Sequence, residues 1–340
     1  MKIPLYSPTI CRSEMEAVLT RMVEERVGPG EVNRALSNAV TEYFASSYAA
    51  SFRSPPIALH HAFSALNISR GSSVIISALS PFWIYVQLCI DGVRPMMLDV
   101  TPDGFFMDIE KVREKAGEAK AIIVSEPLGL MPDIDELLEL GLPIIEDISQ
   151  SVGGVYKGAK AGTKGDFALL GLEEHDSLTA GGGAVLIANK KEYALILKKL
   201  YNEAPSTDLL PDINASLALV QLKQSLKNIE AKQEILEVYK KALLQTSHKT
   251  ILVSSDDINP VYSFPVIFNS NIAEIEKFVF KKDIEIERAF KNSCISFLEE
   301  LQEEYINATS MLFRCFLFPL YPRLGKKKIV EIAKILSSLP

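Results

Sequence analysis

The sequence predicts an α/β protein with a doubly wound, mostly parallel sheet, followed by a smaller α+β part. Six short apolar runs, each bounded by Gly, Pro or Asp, occur between residues 72 and 189, and helical patterns separate several of them. A long helical segment after residue 212 then ends this alternation. The chain has 340 residues, of which 48% are hydrophobic and 23% charged, so it can bury a large core.

The first elements in chain order are two helices, predicted at residues 13–26 and 32–48 from their apolar spacing. The glycines of "GPG", Gly28 and Gly30, separate them. Six strands follow, predicted at SSVIISAL, VRPMMLDV, AKAIIVSE, LPIIEDIS, DFALLGL and GGAVLIAN. Helical patterns at residues 109–118 and 134–141 lie between strands, which is typical of parallel strands covered on both faces.

The second part of the chain begins with a helical pattern at residues 213–245, whose apolar and charged faces suit a domain connector or a dimer seam. Beyond it, residues 260–268, 272–290 and 325–339 predict a strand and two helices. We therefore predict a large domain over residues 1–215 and a small C-terminal domain over residues 216–340, which includes the long connecting helix.

Charge and cysteine content exclude several classes of function. The formal net charge is −7, and the 36 basic residues are scattered among 43 acidic ones, so we expect no nucleic-acid partner. The N-terminus has prolines and charges where a signal peptide needs an apolar run, and no apolar stretch is long enough to span a bilayer. A cytoplasmic protein without a membrane partner is therefore predicted. The four cysteines are widely spaced, which argues against a zinc site or a disulfide framework.

One segment, GLPIIEDISQSVGGVYKGAKAGTKGDFALL, resembles the central part of the DegT/StrS nucleotide-sugar aminotransferases. Segments that resemble other parts of this family occur in the same order along the chain, among them IPLYSPTICRSEMEAV, EPLGLMPDIDEL, NASLALVQLKQ and CFLFPLYPRLGKKKIVEIAKIL. The resemblance implies the fold type I architecture of pyridoxal-phosphate (PLP) dependent transferases. It also implies a homodimer, a nucleotide-sugar-like small molecule as ligand, and a role in surface-polysaccharide or antibiotic-sugar pathways.

The same resemblance suggests which residues face the cofactor. Asp147 matches the acid that keeps the pyridine ring protonated, and Gln150 matches a residue beside the ring. Asp147 also follows a buried apolar run, and open α/β sheets place ligands at the carboxyl ends of such strands. On that position alone, an Asp that merely caps or turns the chain is equally compatible with the sequence.

The stretch DFALLGLEEHDSLTAGGGAV departs from the family pattern at its catalytic position. The family has a lysine ten residues after the Asp of "GD", where it forms a Schiff base with the cofactor aldehyde, whereas this chain has Asp176. A carboxylate cannot form an imine. His175 is adjacent, and some deoxysugar dehydratases that resemble this family carry histidine in the lysine position and bind the cofactor noncovalently. His175 is therefore either a catalytic base or a solvated turn residue.

Other cofactor contacts differ in the same direction. The family's phosphate-binding SSGTaAL is SPPIAL here, with Pro55 and Pro56 in place of Gly-Thr, so that two backbone donors are missing while Ser54 remains. Gly171 replaces a serine that would also face the phosphate. An aromatic residue to cover the ring is expected to be one of two neighbours in SPFWIY, which could equally be plain core residues: Phe82 and Trp83.

Two functions remain open from the sequence. The protein is predicted not to be a standard aminotransferase. It is either a sugar aminotransferase or dehydratase that holds PLP or pyridoxamine phosphate (PMP) noncovalently, or a relative that has lost the cofactor and acts as a binding or regulatory protein. The prolines and Asp176 favour the second function, whereas Asp147 and Gln150 keep the first one open.

Overall fold

A computed structural model gives the structure of residues 2–251, 260–269 and 272–340. In these ranges the helices are α1 (Arg12–Val23), α2 (Glu31–Phe44), α3 (Pro55–Ala65), α4 (Phe82–Ile90), α5 (Ile109–Lys115), α6 (Ile134–Leu138), α7 (Lys191–Glu203), α8 (Asp212–Leu243), α9 (Ile272–Phe280), α10 (Cys294–Phe297), α11 (Ile306–Arg314) and α12 (Lys326–Leu336). The strands are β1 (Tyr48–Phe52), β2 (Ser73–Ser77), β3 (Arg94–Leu98), β4 (Ala121–Ser125), β5 (Ile144–Asp147), β6 (Val155–Tyr156), β7 (Ala159–Lys160), β8 (Phe167–Gly171), β9 (Ala184–Ala188), β10 (Phe264–Ile267), β11 (Glu287–Arg288) and β12 (Cys315–Phe318).

The main sheet of the described residues has the strand order β1-β9-β8-β5-β4-β2-β3. The strands from β8 to β3 pair in parallel, and β9 pairs antiparallel with both β1 and β8. Apart from the edge strand β3, which is exposed or half-buried, their residues are almost entirely buried, because helices cover both faces. The predicted α/β class with a mostly parallel sheet is therefore confirmed.

The structure corrects three sequence-based predictions. The sequence does not predict β1, because "YAASF" has small residues in place of a strong apolar run. The first residue of β1, Tyr48, is also the last residue of the second predicted helix. The helix ends at Phe44, followed by Ala45 in the left-handed conformation with φ 51°. The helix predicted over residues 272–290 ends at Phe280, and the remainder contains the short strand β11.

Helix α8 joins two hydrophobic cores. Its first half packs Ala215, Ala218 and Leu222 into a core with residues of α2 and of the main sheet. Its second half packs Ile235 and Tyr239 into a core formed with the three-stranded sheet β10-β12-β11, and with α9 and α12. Since α8 contributes to both cores, the predicted domain boundary at residue 215 stays a prediction. No helix in the described ranges is both long and apolar enough to cross a membrane.

Asp212 fastens the start of α8 to the start of α2. Its Oδ1 accepts hydrogen bonds from the backbone N–H of Gly30 and Asn33, both at 2.8 Å, and its Oδ2 accepts one from Val32 at 3.1 Å. A Cβ on Gly30 would lie 2.8 Å from Oδ2, which explains the glycine. The side chain is buried, and the carboxylate supplies the negative charge that both helix N-termini favour.

We predict that Asp212→Ala destabilises the fold by about 3 kcal/mol, because three buried backbone donors lose a charged acceptor. Urea unfolding followed by circular dichroism measures this. Glu230→Ala, at an exposed position of the same helix, is the matched control. Equal urea midpoints for the two variants would show that the Asp212 bridge contributes nothing.

Candidate functional site

A cavity of about 150 Å³ lies at the carboxyl ends of the parallel strands. We call it the cleft. Five of the predicted site residues line it: Trp83, Asp147, Gln150, His175 and Asp176. Two other predicted cofactor contacts, Ser54 and Phe82, are not among its lining residues, although Pro55 is. Phe82 instead stacks on Phe297 with ring centroids 4.6 Å apart.

Asp147 ends β5 and is buried at the base of the cleft. Its Oδ1 accepts hydrogen bonds from the Ser149 hydroxyl at 2.6 Å and from the Ser149 backbone N–H at 3.2 Å. Burial raises the pKa of Asp147, and the two Ser149 bonds oppose that rise. Asp147 therefore stabilises the turn that follows β5, which is the structural role that the sequence left open. It also lines the cleft. Its role as a cofactor contact stays a prediction.

Gln150 stabilises another part of the cleft wall. Its side-chain Oε1 accepts a hydrogen bond at 2.7 Å from the backbone N–H of Leu128, a residue with φ 61°. A left-handed conformation is unfavourable for leucine, so this bond helps to fix the turn at residues 127–129. Gln150 thereby shapes the cleft wall, and its predicted contact with a cofactor ring stays untested.

Asp176 is folded back into the turn that follows β8. Its Oδ2 accepts a hydrogen bond from the backbone N–H of Glu173 at 2.8 Å, and its own N–H donates to the Glu173 carbonyl at 3.2 Å. Burial, reinforced by the nearby carboxylates of Asp147 and Glu173, raises the pKa of Asp176 to about 8. At neutral pH this carboxyl is therefore mostly protonated, and it is able to donate a hydrogen bond into the cleft.

Gly171 makes room for this arrangement. A Cβ at position 171 would lie 2.7 Å from Ser149 Oγ and still closer to Asp176 Oδ2. Its backbone N–H donates to Ser149 Oγ at 2.9 Å. The serine that the family pattern has at this position would therefore collide with the carboxylate of Asp176. The two departures from the pattern depend on one another physically.

His175 is exposed and lies flat on Tyr6, with ring centroids 4.4 Å apart and an angle of 19° between the planes. Tyr6 in turn donates a hydrogen bond from its hydroxyl to Glu287 Oε1 at 2.8 Å. The imidazole thus lies on the rim of the cleft with an aromatic partner. Both alternatives for His175, catalytic base and turn residue, remain compatible with this position.

Glu126 is a cleft residue that the sequence analysis missed. It directly follows β4 and is 1% exposed, and neither carboxyl oxygen forms a hydrogen bond of acceptable geometry, although Ser151 and Glu146 are close. Burial and the neighbouring Glu146 raise the pKa of Glu126 well above its ordinary value. Glu146 accepts backbone N–H bonds from Gly162 and Lys164, which makes it the better carrier of the negative charge.

The remaining walls come from distant parts of the chain. Tyr262, Glu287 and Lys291 line the cleft together with Tyr6, and Lys291 Nζ forms an ion pair with Glu287. Local sequence gives no signal that Tyr6 and Tyr262 meet at one site, whereas an acid directly after the apolar run IIVS was a signal for Glu126.

No cluster of metal-ligating side chains occurs within residues 2–251, 260–269 and 272–340.

Comparison with known proteins shows the same family over almost the whole chain. Residues 8–337 match the profile of the DegT/DnrJ/EryC1/StrS aminotransferase family. The GDP-perosamine synthase of Escherichia coli O157:H7 is 25% identical over 357 residues, which cover 98% of this chain and 97% of that protein.

Solved structures share the fold. A putative sugar aminotransferase from Streptococcus pneumoniae in its PLP form superposes with a TM-score of 0.92 at 18% identity, covering 100% of this chain and 98% of the other. A mutant of GDP-4-keto-6-deoxymannose-3-dehydratase with bound GDP-perosamine gives 0.85 at 17% identity, covering 98% and 99%. The predicted architecture of a PLP-dependent transferase is thereby confirmed.

We predict that the raised pKa of Asp176 makes stability fall as pH rises. The folded state binds the proton more tightly than the unfolded chain, so the destabilisation grows from the ordinary carboxyl pKa of 3.8 up to about 8 and is constant above it. Asp176→Asn should therefore gain thermal stability over the original protein progressively between those pH values. Glu174→Gln, at the exposed neighbouring acid, serves as control; parallel pH profiles for Asp176→Asn and the original protein would contradict the assignment.

We further predict coupling between Gly171 and Asp176. Gly171→Ala should destabilise by about 1–3 kcal/mol through overpacking, and by clearly less when Asp176 is also Ala. Unfolding free energies of the two single variants and the double variant give the coupling energy. Gly117→Ala, where nothing lies within 4 Å of the added Cβ, is the control. Additive effects would mean that the two residues do not compete for space.

Proposed function

The chain belongs to the DegT/DnrJ/EryC1/StrS aminotransferase family, and from that premise we propose that it binds a nucleotide-sugar-like molecule without linking PLP covalently. One observation carries the proposal. The position of the cofactor-linking lysine is Asp176, whose carboxyl group is fixed in the cleft wall by its bond to Glu173 N–H. This group has no amine to condense with an aldehyde, so standard transamination through it is chemically impossible.

The other groups around the cleft do not fit the phosphorylated cofactor. The first two residues of α3 are prolines, so the helix N-terminus beside the cleft lacks two backbone donors for a phosphate. Among the described residues the cleft has one lysine, Lys291, and it is paired with Glu287. Four carboxyl groups besides Glu287 line the same cavity: Glu126, Asp147, Glu173 and Asp176. A cofactor phosphate placed at the start of α3 would therefore lack the backbone donors that hold such a group at a helix N-terminus.

The same wall suits a sugar. Carboxyl groups accept hydrogen bonds from sugar hydroxyls, and the protonated ones can also donate to them. The flat rings of Tyr6, Trp83 and Tyr262 offer apolar faces in the same cavity. Because a relative over the whole chain is named GDP-perosamine synthase, a nucleotide sugar is the ligand class we propose. We also propose, on the family resemblance, a cytoplasmic homodimer.

A second candidate function is an aminotransferase or dehydratase that holds PLP or PMP noncovalently. The observation in its favour is that Asp147, the residue expected beside the pyridine nitrogen, is buried on the cleft wall together with Gln150. A noncovalently held cofactor needs no lysine. The missing phosphate donors at Pro55 and Pro56 count equally against this candidate.

We predict that the purified protein, incubated with PLP and then dialysed, keeps no cofactor absorbance and yields no cofactor-modified cleft peptide after borohydride reduction. GDP-perosamine should raise its thermal midpoint, whereas PLP should not. Asp147→Ala is the variant that separates the candidates. If PLP or PMP is retained by the original protein and lost from Asp147→Ala, the second candidate is correct.

Two outcomes would contradict the first proposal directly. A stable PLP adduct mapped to a lysine of the cleft would show a covalent link. If GDP-perosamine leaves the thermal midpoint of the protein unchanged, this nucleotide sugar is not its ligand. The exposed-acid variant Glu174→Gln, which leaves the interior of the cleft intact, should respond to GDP-perosamine as the original protein does.

A further inference from the structure

A second cavity, of about 60 Å³, lies on the other side of the turn that carries Asp176. We call it the side cavity. Tyr6, His175, Asp176 and Tyr262 line both it and the cleft, so the turn at residues 173–177 is the partition between the two. The side cavity has room for about five water-sized groups, which is too little for a phosphorylated pyridine ring.

Helix α8 closes the side cavity with a polar stripe. Gln221, Asn228 and Lys232 are spaced seven and four residues apart, which places them on one helical face, and all three line the cavity. The side-chain amide of Gln221 already forms a hydrogen bond within the protein, since its Nε2 donates to Glu14 Oε1 at 2.9 Å. The other buried polar residues of α8 have partners within the fold: Asp212 accepts backbone bonds from the start of α2, and Ser216 and Ser225 donate to backbone carbonyls of α8 itself. The stripe of Gln221, Asn228 and Lys232 differs from them because it lines a cavity.

Lys232 is partly buried and pairs with no carboxylate among the described residues. Because burial is not offset by a partner, the pKa of its amine is lowered to about 8. A neutral lysine amine is a good nucleophile, and near neutral pH this one is neutral far more often than an ordinary lysine. The other titratable groups that line the cavity are Tyr6, Glu174, His175, Asp176, Tyr262 and Tyr321.

We propose that the side cavity captures small aldehydes covalently, with Lys232 Nζ as the nucleophile. The nitrogen lone pair attacks the carbonyl carbon, and a proton moves from nitrogen to the former carbonyl oxygen. Loss of one water molecule then gives the imine, with no oxidant or reductant involved. The Asp176 carboxyl lines the same cavity and supplies an acid that can protonate the leaving hydroxyl.

This site is distinct from the cleft. Its ligand is small and carries a reactive carbonyl, whereas the ligand proposed for the cleft is a nucleotide sugar held by hydrogen bonds. The aldehyde reaction requires an amine at position 232 and no cofactor. Neither result with PLP or GDP-perosamine bears on it, so the two proposals stand or fall separately.

The test is limited reductive methylation of the folded protein with substoichiometric formaldehyde and cyanoborohydride, followed by peptide mass spectrometry. At about pH 7.5, Lys232 should be methylated at least tenfold faster than Lys227, an exposed lysine of the same helix, since burial lowers the pKa of the Lys232 amine to about 8. The pH midpoint of Lys232 labelling should lie near 8. Lys232→Arg should lose the fast phase, and Lys227→Arg should keep it.

Three results would overturn the proposal. These are labelling of Lys232 no faster than Lys227, fast labelling that persists in Lys232→Arg, and a preference for Lys232 that survives in urea-unfolded protein. Circular dichroism of both arginine variants shows whether each is folded. If Lys232→Arg does not fold, the comparison of Lys232 with Lys227 in the original protein decides alone.

Discussion

The burial of three carboxyl groups at the ends of adjacent parallel strands is the constraint that shapes this site. Glu126 follows β4, Asp147 ends β5 and Asp176 follows β8, and these strands are neighbours in the sheet. Parallel strands end at one edge, so acids placed after them converge there. Because no lysine or arginine in the described residues pairs with these three, burial raises the pKa of each one. Burial therefore favours the protonated form of these three acids, and a protonated carboxyl group can donate as well as accept a hydrogen bond.

The departures from the family pattern form one consistent structure. The carboxylate of Asp176 needs the backbone N–H of Glu173 and the space left by the missing Cβ of Gly171. The Ser149 hydroxyl accepts from Gly171 N–H while it donates to Asp147, which ties the turn to β5. Restoring a lysine at position 176 alone would remove an acceptor from this network and leave the acids and prolines around it unchanged. The proposed lack of a covalent link thus rests on several residues of the cleft wall and not on Asp176 alone.

Much of the fold was predictable because apolar runs and helical spacing are local signals. β1 was not, since its small residues are strand-forming here only through pairing with β9. Asp147, Gln150 and Asp176, which were selected by their motif positions, line the cleft, and their roles there stay predictions. The contact of Tyr6 with His175 joins residues far apart in sequence and has no local signal. The sequence did show that α3 begins without two backbone N–H donors, because its first two residues are Pro55 and Pro56 and proline has no N–H in any structure.

Asp176 lines both the cleft and the side cavity, whereas Lys232 lines the side cavity. Burial raises the pKa of the Asp176 carboxyl and lowers the pKa of the Lys232 amine, each to about 8. A ligand on one side that favours one protonation state of Asp176 changes the free energy of binding on the other side. Linkage requires that effect to be equal in both directions. Any such effect would run through the Asp176 carboxyl group in the turn at residues 173–177, because this residue lines both cavities.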